Sequence, residues 1–166
     1  MRRALVLAAV IAAGVVLEST LLTHLRLGGA RPDVLVLAVI AVAMACGPVT
    51  GSGFGFAAGL VSDLEFAAPV GVSALVYTVI GFGTGAARMY VTSSRTWVHL
   101  LLAAAASLAS VWLSGVVLRV FDLSSWVFLV RTGPWIALYN LLLTPFVYPL
   151  VRTLAARAGP GATDSW

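Results

Sequence analysis

Apolar residues run along this chain in blocks about as long as a membrane is thick, and polar residues gather between them. The first block lies in "MRRALVLAAVIAAGVVLESTLLT", residues 1–23, where a long apolar run follows Arg2 and Arg3. A basic start with an apolar run is also the form of a signal peptide. No clear small-x-small cleavage site precedes the next block, so the pattern predicts a retained helix. The second block opens at "RPDVLVLAVIAVAMAC". Pro32 suits the first turn of a helix and Asp33 its positive end. "GPVTG" at 47–51 carries turn chemistry, and a short third helix is expected from about Ser52 to Phe66. "AAPVG" at 67–71 makes the next turn. Further helices are expected at about 72–89, 96–118 and 134–153.

The pattern thus predicts an all-α integral membrane protein with about six transmembrane helices. Residues 1–155 form the membrane domain, and "ARAGPGATDSW" at 156–166 is expected to be a short disordered tail. The second and third segments are tightly budgeted in length. Asp33 to Ala68 spans 36 residues, and two helices of about 17 residues just cross a hydrocarbon core of about 30 Å. A five-span arrangement, with these two as a re-entrant pair, is the alternative.

Composition sharpens the membrane reading. The chain is 61% hydrophobic and 10% charged, with a mean hydropathy of +1.05, whereas soluble domains carry about 25% charged residues. All ten basic residues are arginine. Without lysine there is no Walker A phosphate loop and no Schiff-base chemistry. Cys46 is the single cysteine, which excludes an intramolecular disulfide and a multi-cysteine zinc site. His24 and His99 are far apart and belong to no HExxH motif. The net charge of +4 comes from scattered arginines and makes no case for nucleic acid. No catalytic group, metal or cofactor is expected. With the N-terminus inside, Arg2, Arg3, Arg88, Arg95, Arg152 and Arg157 lie on the cytoplasmic side, and Arg26, Arg31, Arg119 and Arg131 outside. That bias favours both termini in the cytoplasm of a multi-pass inner-membrane protein. "RVFDLSSWVFLVRTG" then forms an outer loop, with Trp126 and Phe128 at the membrane interface.

Two kinds of residue stand out against this apolar background. Gly51, Gly55 and Gly59 recur at i, i+4 and i+8, and Asp63 continues the series, so all four share one helix stripe. A dinucleotide or phosphate loop would need a preceding strand. Overlapping GxxxG patterns instead point to close helix packing in lipid. Gly81 and Gly85 in "GFGTG" form a second such set, with Tyr77 one turn earlier. The spacing leaves open whether these faces meet another helix of the chain or a partner. Charged groups are the other signal, since an ionised side chain at mid-membrane costs at least about 2.5–3.5 kcal/mol. Glu18, near the outer end of the first helix, either snorkels to the interface or makes an intramembrane polar contact. Asp63 and Glu65 can reach the outer interface, and Asp63 also sits where a close neighbour could supply a donor. At i and i+2 the two carboxylates face different ways and form no acid–base dyad. Asn140 is a candidate for interhelical hydrogen bonding, and Pro145 and Pro149 are expected to kink the last helix.

Several motifs together carry a family resemblance. They are Pro32-Asp33 opening the second helix, Gly55-Phe56-x-x-Gly59-Leu60-x-x-Asp63, Pro69-x-Gly71 followed by Ala74-Leu75, and "YNLLLTPFVYPLVR" with Asn140, Pro145, Pro149 and Arg152. In this order the chain resembles the rod shape-determining MreD family over most of its length. It departs from the usual pattern in lacking lysine and in its alanine-rich composition. The resemblance implies a non-catalytic scaffold of the bacterial cell-elongation and peptidoglycan-synthesis machinery. The implied partners are MreC, RodA and a class B penicillin-binding protein, with an indirect link to MreB. It also implies a fold similar to the S-components of energy-coupling-factor transporters. The alternative function is accordingly a vitamin-binding transporter subunit.

Overall fold

The computed structural model describes residues 2–20, 33–65, 71–90, 96–120 and 135–153, apart from 137, 139, 141 and 152. The described residues form six helices and no strand. Five are α1 (Arg2–Thr20), α2 (Val34–Cys46), α3 (Pro48–Glu65), α4 (Val72–Tyr90) and α5 (Thr96–Val120). The sixth, α6, is continuous over Leu142–Val151, with helical residues at Trp135, Ile136, Leu138 and Asn140 leading into it. The expected outer loop with Trp126 and Phe128, and the tail, lie outside the described residues.

α2 is the axis of the bundle. Every residue from Val34 to Met44 is buried, as befits a helix that is apolar all round. α1, α3, α4 and α5 all pack on it, and Val147, Tyr148 and Val151 of α6 join the same core. Among α1 to α5, α3 and α4 make the most extensive contact and together lie against α2. α1 meets the bundle through Leu7, Val10, Ile11, Gly14, Val15 and Glu18, one side of the helix. Its other side, with Val16 and Leu17, is exposed.

The helix boundaries differ from the sequence expectation at one informative place. "GPVTG" is not a five-residue turn, because α3 starts at Pro48. A single residue, Gly47, separates α2 from α3. Its φ of 85° lies in the left-handed region that only glycine enters without strain. Its N–H bonds to Ala43 O at 2.9 Å, and its carbonyl accepts from Gly51 N at 2.9 Å. Gly47 therefore closes one helix and starts the next, with Pro48 at the position where a missing N–H costs nothing. At the other end of α2, Asp33 is the N-cap, and Pro32 precedes the described segment.

Two helices, Val72–Tyr90 and Trp97–Val120, are long and apolar enough to cross a membrane. The apolar stretches Val6–Thr20, Val34–Cys46 and Leu142–Val151 are shorter. At 13 residues, α2 is only about 20 Å long, shorter than α1, α3, α4 and α5.

Candidate functional site

Two constructions hold the helices in place, and between them they use the two glycine sets, Asp63, Glu18 and Asn140. The first is a seam between α3 and α4, which run antiparallel. Gly85 lies against Pro48, Gly81 against Gly51, Gly55 against Tyr77, and Gly59 against Ala74. Each step of three or four residues up α3 is matched by three or four residues down α4, so both small-residue stripes face each other within the chain. A Cβ on Gly55 would collide with the Tyr77 carbonyl oxygen, and one on Gly81 with the Gly51 carbonyl oxygen. On Gly85 it would fall 2.6 Å from Pro48 Cα, and on Gly51 2.8 Å from the Gly81 carbonyl oxygen. These are backbone contacts, which no side-chain rotation relieves. Gly53 and Gly83, on the outward side of the same helices, have nothing within 4 Å of a built Cβ.

Asp63 ends the seam. It is 1% exposed. Its carboxylate accepts from Gly71 N at 2.7 Å, Ser73 N at 3.0 Å and Ala74 N at 3.4 Å. These are the unpaired donors at the start of α4, and the helix dipole favours an anion there. Gly71 adopts φ 107° to turn its N–H onto the carboxylate. Asp63 thus caps α4 from the end of α3.

The second construction is a polar node at the N-terminus of α2. Asp33 Oδ1 accepts from Val36 N at 2.8 Å, the N-cap bond. Asp33 Oδ2 accepts from the Tyr77 hydroxyl of α4 at 2.7 Å. The Asp33 N–H donates to Asn140 Oδ1 of α6 at 3.2 Å, and Asn140 Nδ2 donates to Ser107 Oγ of α5 at 2.7 Å. From α1, Glu18 Oε1 accepts from Leu35 N at 3.0 Å. Glu18 is buried rather than snorkelling. Five helices thus send one polar side chain or cap to one point. Asn140 and Ser107 are at most 1% exposed, and each of the five node side chains has a partner, as burial in an apolar medium demands. At the opposite end of α2, Arg88 of α4 donates to Ala45 O at 3.0 Å. Carboxyl oxygens accepting at the N-terminus and a guanidinium donating at the C-terminus meet the unpaired backbone groups at the two ends of α2.

Of the node, sequence reasoning singled out Glu18 and Asn140 as polar contacts and placed Asp33 at a helix start. Tyr77 and Ser107 were missed as members. The available signal for Tyr77 was that a tyrosine inside an apolar helix needs a partner for its hydroxyl. For Ser107 it was a hydroxyl in an otherwise alanine- and leucine-rich run.

Comparison with known families fits this arrangement. No curated protein and no solved structure matches the chain. The family model described as rod shape-determining protein MreD matches residues 1–157, nearly the whole chain and all six helices. It covers Asp33, the Gly51–Asp63 stripe, Tyr77 and Asn140 alike. The chain therefore belongs to the rod shape-determining MreD family.

Proposed function

We propose that this protein is a non-catalytic scaffold in the bacterial inner membrane and that its direct partner is MreC. Membership of the MreD family carries a role in rod shape determination; the scaffold and the partner are the finer reading. The observation that carries it is where the polar groups are used. Glu18, Asp33, Asp63, Tyr77 and Asn140 bond to other parts of the same chain. Among the described residues, large apolar side chains are exposed on the helices, including Val16, Phe56, Val79, Phe82, Leu101, Trp112 and Phe146. That surface suits lateral association in a bilayer. RodA and a class B penicillin-binding protein would join through the same assembly, with MreB linked indirectly. In this reading six helices cross the membrane, both termini face the cytoplasm, and the Asp33 end of α2 points outward.

The vitamin-binding alternative has one feature in its favour, the convergence of polar side chains toward the outer end. Those side chains hydrogen-bond to one another and to the α2 backbone, which favours the scaffold. Purification from native membranes followed by mass spectrometry separates the two. Recovery of MreC and wall-synthesis enzymes, with rounding of a rod-shaped host on depletion, is the expected result. Recovery of a transporter ATPase module overturns it. Reporter fusions at Thr92 and at the C-terminus should read cytoplasmic, and one at Ser124 external. A C-terminal fusion reading external sinks the six-span arrangement.

A further inference from the structure

In a bilayer, apolar helix faces exchange protein for lipid at little cost, because lipid tails are as apolar as leucine. Contacts that fix a helix are those lipid cannot replace, namely backbone-to-backbone packing and hydrogen bonds. By this standard the bundle is unevenly fastened. α3 and α4 are locked by glycine contacts along their shared length, and α2 is tied to them through Gly51 against Ala43, the Gly47 turn and Arg88. α1 has a different attachment. Among the described side chains of its first half, Leu7, Val10 and Ile11 meet the core through apolar contacts. Gly14 lies against the Leu35 side chain, not against backbone. Its fixed point is Glu18, whose carboxylate is buried and bonded to Leu35 N. That bond lies two residues from the end of the helix. α1 packs mainly on α2 and touches α3 little.

We propose that α1 is a hinged strap, pinned at Glu18 on the N-terminus of α2 and able to swing at its Arg2 end. Glu18 is the pivot because breaking its bond strands a carboxylate and an N–H in a medium that offers no replacement. The Arg2 end moves because its contacts are exchangeable with lipid. Swinging it outward uncovers part of α2, the one helix the bundle shields along its length. The hinge stands on the geometry alone. Its use, admitting a partner helix beside α2, rests on the scaffold reading and is tested separately by the copurification above.

The test is a pair of distance distributions measured by electron spin resonance on the full chain in lipid nanodiscs, with Cys46→Ala removing the native thiol. Spin labels at Leu17 and Leu64, both exposed, report the Glu18 end of α1 against α3. Labels at Ala8 and Val49, both exposed, report the Arg2 end. The Ala8–Val49 distribution should be about twice as broad as that of Leu17–Leu64 or more, as apolar-only attachment in lipid implies. Glu18→Ala should broaden the Leu17–Leu64 distribution toward the other, while Glu18→Gln, which keeps the acceptor oxygen, leaves it narrow. Equal widths at the two ends of the parent protein overturn the hinge, and that comparison stands even where Glu18→Ala is not recovered. A Leu17–Leu64 distribution unchanged in Glu18→Ala overturns Glu18 as the pivot.

Discussion

Along the α3–α4 seam, backbones meet because side chains are missing; at the Asp33 node, five helices meet because polar side chains are present. Both answer the same difficulty. Lipid gives two apolar helices no hydrophobic reason to associate, so contact must come from close packing or from hydrogen bonds. The seam is long, repetitive and local to two helices consecutive in the chain. The node is a single point that gathers residues as far apart as Asp33 and Asn140. The seam sets distance and register between two helices, whereas the node sets which helices surround α2. A seam tolerates no added atom, while a node tolerates no lost partner. Substitutions should therefore fail in opposite ways at the two places.

The largest effect is expected at the seam. Gly55→Leu or Gly59→Leu must push backbones apart and should cost on the order of 3 kcal/mol or more, enough to abolish recovery of monodisperse protein in detergent. Gly53→Leu and Gly83→Leu, which meet open space, should be recovered at parental yield. Equal loss in all four variants would break the distinction between inward and outward glycines. Next comes the junction of seam and cap. Asp63→Leu leaves three N–H groups at the start of α4 without an acceptor and should cost about 1–3 kcal/mol in a denaturant titration. Asp63→Asn retains one acceptor oxygen and should lose distinctly less; equal losses would mean that the charge, not the bonds, matters there.

At the node the effects are smaller, because interhelical hydrogen bonds in membranes are worth about 0.6–2 kcal/mol. Tyr77→Phe and Asn140→Ala should each lie in that range. Both act through Asp33, so the double variant should depart from additivity by 0.5 kcal/mol or more, roughly the coupling of groups in one network. Additive losses would dissolve the node into independent contacts. The smallest effect belongs to Arg88→Met, which removes one bond to the α2 C-terminus and should cost about 0.3–1 kcal/mol. That loss should shrink with added salt.

The seam was largely legible because its information is local. Glycines four apart, followed by Asp63 in the same series, define a helix face from spacing alone. What spacing left open was the partner, which proves to be the chain's own α4. Asp63 stood out as a charge in an apolar run, yet its donors, Gly71 to Ala74, became acceptable partners only once α4 had turned back alongside. The start of α3 was misplaced at Ser52 because Gly-Pro reads as a loop. The structure needs only Gly47 for the break, since proline is well placed in a first turn. The node was legible only in fragments. Glu18 and Asn140 are conspicuous in apolar surroundings, whereas Ser107 and Tyr77 are common in membrane helices and announce nothing singly.

By itself, the sequence determined that this protein is built of apolar helices, where most of them begin and end, which stripes pack closely, and that it belongs with the rod shape-determining proteins. It could not rank the helices by position. In water, an outward face is polar and a buried face apolar, so periodicity reveals the inside. In lipid both faces are apolar, and that signal vanishes. α2, buried from Val34 to Met44, and α5, with Trp97, Leu101, Leu108, Trp112 and Val116 exposed, read alike as apolar runs. Only tertiary packing made one the axis of the bundle and the other part of its rim, and only that choice brought Glu18, Asp33, Tyr77, Ser107 and Asn140 to the same place.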